Sequence, residues 1–147
     1  MTDSNHAKHV KLLLEVERED GSVDIESVWA APVREGHKID NIPFYAKEVA
    51  CSDVVSAATD EDGALRYTGL SVASGHSTIR LWFADESNVA PVREHLRGMG
   101  CSSELDLSRL VAVDVPPSVA YPHVRAYLDE QEAAGIFEYE EASLGQG

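Results

Sequence analysis

The sequence predicts an α+β fold, with a small β-rich, barrel-like N-terminal half followed by a ferredoxin-like β-α-β-β-α-β half. Three observations carry that prediction. Five short runs of strand character precede Ser74, separated by turn signals at a spacing of about 8–12 residues, as in small barrels and strongly bent sheets. The texture changes after Ser74-Gly75, where helical apolar stripes begin to alternate with strands. The order of elements beyond that point, strand-helix-strand-strand-helix-strand, is the ferredoxin-like order. The expected boundaries are residues 8–74 for the first half and 75–143 for the second, with residues 1–7 and 144–147 as loose tails.

Taken in order, Val10, Leu12, Leu14 and Val16 alternate with Lys11, Leu13, Glu15 and Glu17. A period of two places alternate side chains on opposite faces, so this is a half-buried strand. Glu19-Asp20-Gly21 supplies a turn, and a second strand runs from about Asp24 to Val33 with Trp29 on it. Pro32 has no amide donor and belongs at a strand end or edge. After Arg34-Glu35-Gly36, a third strand spans about His37–Ile42, and Phe44–Val49 has room for a single helical turn. Asp53–Ala58 and Ala64–Val72 read as strands joined by the Asp60-Glu61-Asp62-Gly63 turn.

In the second half, Thr78–Ala84 is a strand with Ile79, Leu81 and Phe83 on one face and Arg80 and Trp82 on the other. Ser87 or Asn88 can cap a helix that carries Pro91 in its first turn and Val89, Val92, Leu96 and Met99 as its apolar stripe. Strands at Cys101–Leu107 and Leu110–Val115 follow. A second helix spans about Val119–Ala134, capped by Pro116-Pro117-Ser118 and ended by Gly135, and Ile136–Ala142 is the last strand. With both helices on one face of the sheet, the face bearing Arg80 and Trp82 needs another cover. The linker at Val72–Ser77 is short enough for the first half to provide part of it.

The charge balance narrows the partners. Against 12 Lys and Arg stand 26 Asp and Glu, a net charge of -14, clustered at Glu15–Glu26, Asp60–Asp62 and Asp129–Glu141. Nucleic-acid binding needs cations that displace counterions from phosphate, and an anionic bilayer repels such a chain. A basic protein is instead steered towards it. With 44% hydrophobic residues the chain has the composition of a folded globule, not of a disordered one. The two cysteines, Cys51 and Cys101, form no C-x-x-C pair, no apolar run is long enough to span a membrane, and Met1–His9 lacks a secretory core. The expected location is the cytoplasm, with both thiols free.

No complete catalytic constellation is written in the chain. Gly75-His76-Ser77-Thr78 sets an imidazole beside hydroxyls, but neighbours on an extended chain point to opposite faces, and no G-x-S-x-G elbow surrounds Ser77. Among the six histidines no H-x-x-x-H pair occurs, so neither a metal site nor a cofactor is expected. Asp60-Glu61-Asp62-Gly63 lacks the remaining ligands of a calcium loop, and Gly98-Met99-Gly100 lacks the strand and third glycine of a phosphate loop. The richest segment is Ser27–Val55. In it Trp29, Asp40, Asn41, Phe44 and Tyr45 are candidates for a ligand-binding wall, joined by His76 if the fold brings it close. The structural alternative is that Asn41 and Asp53 bond turns while the aromatic rings fill the core.

The runs Glu26-Ser27-Val28-Trp29-Ala30-Ala31-Pro32-Val33, Asp40-Asn41-Ile42-Pro43-Phe44-Tyr45-Ala46, Asp53-Val54-Val55 and Ser74-Gly75-His76-Ser77-Thr78 resemble the bacterial proteins grouped as domain of unknown function 4265. The resemblance extends from about Val10 to Glu141 and implies bacterial origin and a shared architecture, with no activity to carry over. Relatives often have glycine where this chain has Ser52, a departure confined to the turn. The leading expectation is a non-catalytic binding protein acting by protein–protein contact, such as an immunity- or inhibitor-type protein for a basic partner. The alternatives are a small-molecule sensor with a pocket between the halves, and an enzyme using His76 with Asp40 or Asp53.

Overall fold

The computed structural model describes residues 9–145. The expected tail at residues 1–7, His6 with it, and residues 146–147 of the expected C-terminal tail lie outside the described residues.

The first five strands close on themselves. They are β1 (Val10–Glu17), β2 (Val23–Val33), β3 (Gly36–Ile39), β4 (Val54–Thr59) and β5 (Leu65–Val72). Each pairs antiparallel with the next, and β5 returns to β1 in parallel at Leu12 opposite Leu65, which closes the barrel. The alternation read from the sequence fixes what lies inside: Leu12, Leu14, Val28, Ala30, Ile39 and Val55 are buried together. Ala46 and Val49, from the long β3–β4 connection, complete this core, so the connection plugs the barrel.

The remaining elements are β6 (Ser77–Phe83), a 3-10 turn at Glu86–Asn88, α1 (Val89–Gly98), β7 (Ser102–Asp106), β8 (Leu110–Val115), α2 (Tyr121–Ala133) and β9 (Phe137–Ser143). The strands form one antiparallel sheet in the order β7-β8-β6-β9. Ile79, Leu81, Phe83, Val111, Val113 and Val115 meet Val92 and Leu96 of α1 and Val124 and Leu128 of α2 in a second core. The opposite face carries Thr78, Arg80 and Asp114, all buried, so the barrel half does cover part of it.

The α+β class with a ferredoxin-like half is corrected by these proportions. The fold is mostly β: among the described residues 45% are in strands and 19% in helix, arranged as two sheets with two α-helices. The physical reason is the barrel. It commits the whole first half to strands and connections, and the two helices form a minority layer on one sheet face. Local expectations are corrected too. Phe44–Val49 forms no helical turn: Glu26 accepts from the amides of Phe44, Tyr45 and Ala46, and Glu48 stands at φ 64, a left-handed value that a right-handed turn excludes. The turn leading into α1 is capped by Asp85, which accepts from the amide of Ser87; Asn88 makes no side-chain cap. Ala120 precedes α2 without a capping side chain, and Pro122 stands in its first turn.

Candidate functional site

The β3–β4 connection, residues 40–53, is where barrel and sheet are joined. Its backbone is held from both sides. Glu26 of β2 accepts from the amides of Phe44 (2.6 Å), Tyr45 (3.0 Å) and Ala46 (2.9 Å). Arg80 of β6 donates to the carbonyl of Tyr45 at 2.9 Å and to that of Ala46. Arg80 is only 4% exposed, and burial pulls its pKa below the usual range, opposed by the charge of Glu140. The amide of Glu48 donates to Ala142 of β9 at 3.2 Å, and Lys47 pairs with Glu140 at 3.1 Å. At the end of the connection, buried Asp53 accepts from the amide of Ala50 (2.9 Å) and from the amide and hydroxyl of Ser74 (2.9 and 2.7 Å).

The six predicted site residues are not gathered in one place. Trp29 lies on the outside of the barrel under the ammonium of Lys11, 5.7 Å from the ring centroid, and its amide donates to Asn41 Oδ1. Asp40 is exposed and bonds His9 Nε2 at 2.7 Å. Phe44 is half-buried, with Tyr45 6.3 Å away between ring centroids. The Tyr45 hydroxyl donates to Asp106 of β7 at 2.6 Å, and that bond, then burial, pushes its pKa up to about 12. His76 lies in the linker before β6, and none of the other five lines the cleft that it borders. Asp53 does the turn-bonding of the structural alternative, whereas Asn41 bonds across to β2 and the exposed Tyr45 ring does not fill the core.

Two surfaces remain with unspent chemistry. The first is a cleft of about 560 Å³ between the barrel and the end of β9, where His76 meets Glu48, Leu70, Ala142 and Leu144. His76 Nδ1 lies 2.8 Å from Oδ1 and 3.1 Å from Oδ2 of Asp114. An ionised carboxylate only accepts, so opposite it Nδ1 carries the proton, and the neutral tautomer of this ring keeps its lone pair on Nε2. Burial raises the pKa of Asp114, and the bond from His76 and its charge oppose that rise. Asp114 was not among the sequence candidates. Its signal is a lone carboxylate in the run Leu110-Val111-Ala112-Val113-Asp114-Val115, all of it buried, where an ionisable group needs a partner. Cys51 and Cys101 are free thiols, both raised by burial, Cys101 to about 11, which leaves neither a ready nucleophile. Among the described residues no three His, Cys, Asp or Glu side chains converge as a metal site.

The second surface is the end of the sheet face that the barrel leaves open. Trp82 stands there 43% exposed, opposite Leu110 on β8 and Glu138 on β9. Asp106 occupies the same row on β7 and anchors Tyr45, itself 43% exposed. A cleft of about 700 Å³ beside Trp82 has Glu132 and Glu138 as its charged lining. Trp82 faces away from the helices, as the alternation of β6 predicts, and joins the candidate residues only through its exposure here. No described helix is long and apolar enough to cross a membrane.

The architecture is that of a closed five-stranded barrel docked on a four-stranded, helix-backed sheet. The chain belongs to the family described as Domain of unknown function (DUF4265), whose model matches residues 26–139. It is also similar to a solved structure described as a hypothetical protein from Neisseria gonorrhoeae, at 23% identity and a TM-score of 0.80, covering 93% of this chain and 96% of that one. That likeness establishes the fold alone. No curated protein matches the sequence.

Proposed function

We propose that the chain is a non-catalytic binding protein that engages a basic protein through the open end of its second sheet. The observation that supports this reading is the pairing of exposed Trp82 and Tyr45 with a carboxylate border of Asp106, Glu132 and Glu138. Aromatic side chains carry most of the energy at protein interfaces, because they bury large area at low entropic cost. Acidic neighbours on a chain of net charge -14 select a cationic partner and speed its encounter. An inhibitor-type role, covering a basic surface on the partner, fits this chemistry.

The test is capture from host extract on the immobilised chain, at about 50 mM and about 300 mM salt. The expected result is a basic protein whose capture weakens at the higher salt and is lost with Trp82→Ser and with Glu138→Lys. Retention unchanged by both substitutions, or the absence of any captured protein at the lower salt, overturns the reading.

A further inference from the structure

We propose that the cleft between the barrel and β9 is a binding site for a small primary amine in its ammonium form, with His76 Nε2 as acceptor and Glu48 as counter-charge. The site is separate from the Trp82 face and does not rest on the protein-binding reading. Three observations combine. The cleft holds about 560 Å³, the lower part of the range of small-ligand sites. His76 lines its wall with Nδ1 held by a buried partner, Asp114, at 2.8 Å, so that in the neutral form the lone pair stands on Nε2. Glu48 lines the same cleft with no hydrogen bond or ion pair on its carboxylate among the described residues, and its backbone is held at φ 64, left-handed for a non-glycine residue.

Charge selects the class of ligand. Lys47, whose ammonium is taken by Glu140 at 3.1 Å, lines the cleft with three carboxylates, of which Asp53 is bonded to Ala50 and Ser74, Glu141 is bonded to Tyr121 and lies 3.8 Å from Arg125, and Glu48 alone is unspent. Anions are repelled, and an ammonium group can donate at once to an imidazole nitrogen and a carboxylate. Leu70, Ala142 and Leu144 give the wall an apolar part that a short alkyl chain covers. Asp114, though charged when ionised, faces His76 and serves to position it.

The full chain is titrated with n-butylammonium, n-butanol and butyrate, which share a tail and differ in head-group charge, while the ring nitrogens of His76 are followed by NMR. The expected result is a saturating change at His76 Nε2 with butylammonium by about 10 mM, and none with butyrate. Glu48→Gln, which breaks no described side-chain contact, is expected to weaken binding about five-fold by removing a partly solvated charge. His76→Ala is expected to abolish it. Binding of butyrate as tight as that of butylammonium overturns the proposal. So does the absence of saturation at His76, or a Glu48→Gln protein with undiminished affinity, and these last two readouts stand even if His76→Ala does not fold.

Discussion

Arg80 is the buried side chain on which the β3–β4 connection rests. Its guanidinium is buried under the connection 40–53, donates to the carbonyls of Tyr45 and Ala46, and sits 3.9 Å from Glu140. Arg80→Met fills similar volume but leaves two carbonyls without their donor, a loss expected to cost about 2–4 kcal/mol. A shift of the urea midpoint worth less than about 1 kcal/mol would mean the connection is held elsewhere. Ser52 gives the opposite sign. It is held at φ 70, where an L side chain is crowded, so Ser52→Gly relieves strain and is expected to stabilise by up to about 1 kcal/mol in the same measurement. Asp114 governs a pH effect. Its folded pKa is raised above the ordinary 3.8, so the folded state holds this proton to higher pH than the unfolded chain does. Its contribution therefore favours folding at low pH and is lost as pH rises through the raised value. Asp114→Asn keeps an acceptor for His76 but cannot ionise. Its stability is expected to fall less than the wild type's as pH is raised from about 4 towards neutrality. Unfolding curves with parallel pH dependence would contradict this.

Elements explain why so much of the barrel was legible and its contents were not. Alternation in Val10–Glu17 and turn chemistry at Asp20-Gly21 and Asp62-Gly63 are local, and each strand of the first half, unlike the expected helical turn at Phe44–Val49, lies within about three residues of its expected ends. What decides the class is non-local: β5 must find β1, and no periodicity encodes that parallel closure. The connection 40–53 was equally opaque. Its role depends on Glu26 and Arg80, and Arg80 lies 34 positions from Ala46. The same distance hid the cleft, since His76 and Asp114 are 38 positions apart and Asp114 looks on paper like a flaw in an apolar strand. Gly36 shows how tightly these elements meet. At φ 146, a Cβ there would lie 2.3 Å from the Val55 carbonyl oxygen of the neighbouring strand, a backbone atom that cannot yield. Gly36→Ala combines strain with that clash and is expected to cost about 3 kcal/mol or more. Gly63→Ala has positive φ but open space, and should cost clearly less. Equal losses in the two variants would remove the packing argument and leave only backbone strain.

Across the whole molecule the dominant physical fact is charge. With 26 acidic and 12 basic side chains the folded chain repels itself, and compaction brings those carboxylates closer than the unfolded chain would. Lys47–Glu140 and Arg66–Asp60 offset this locally, but both pairs involve partly exposed groups and contribute little. Added salt screens repulsion over about 10 Å at 0.1 M, so the isolated chain is expected to gain thermal stability between about 20 and 300 mM sodium chloride. A complex with a basic partner depends on the same charges with the opposite sign, so its affinity is expected to fall over that range. The two trends, read by thermal unfolding of the chain alone and by titration of the complex, must diverge. If both rise with salt, contact is governed by apolar burial at Trp82 and Tyr45, and the carboxylate border does not select the partner. If the isolated chain loses stability with salt, its surface charges are net attractive, and the excess of carboxylates is already compensated within the fold.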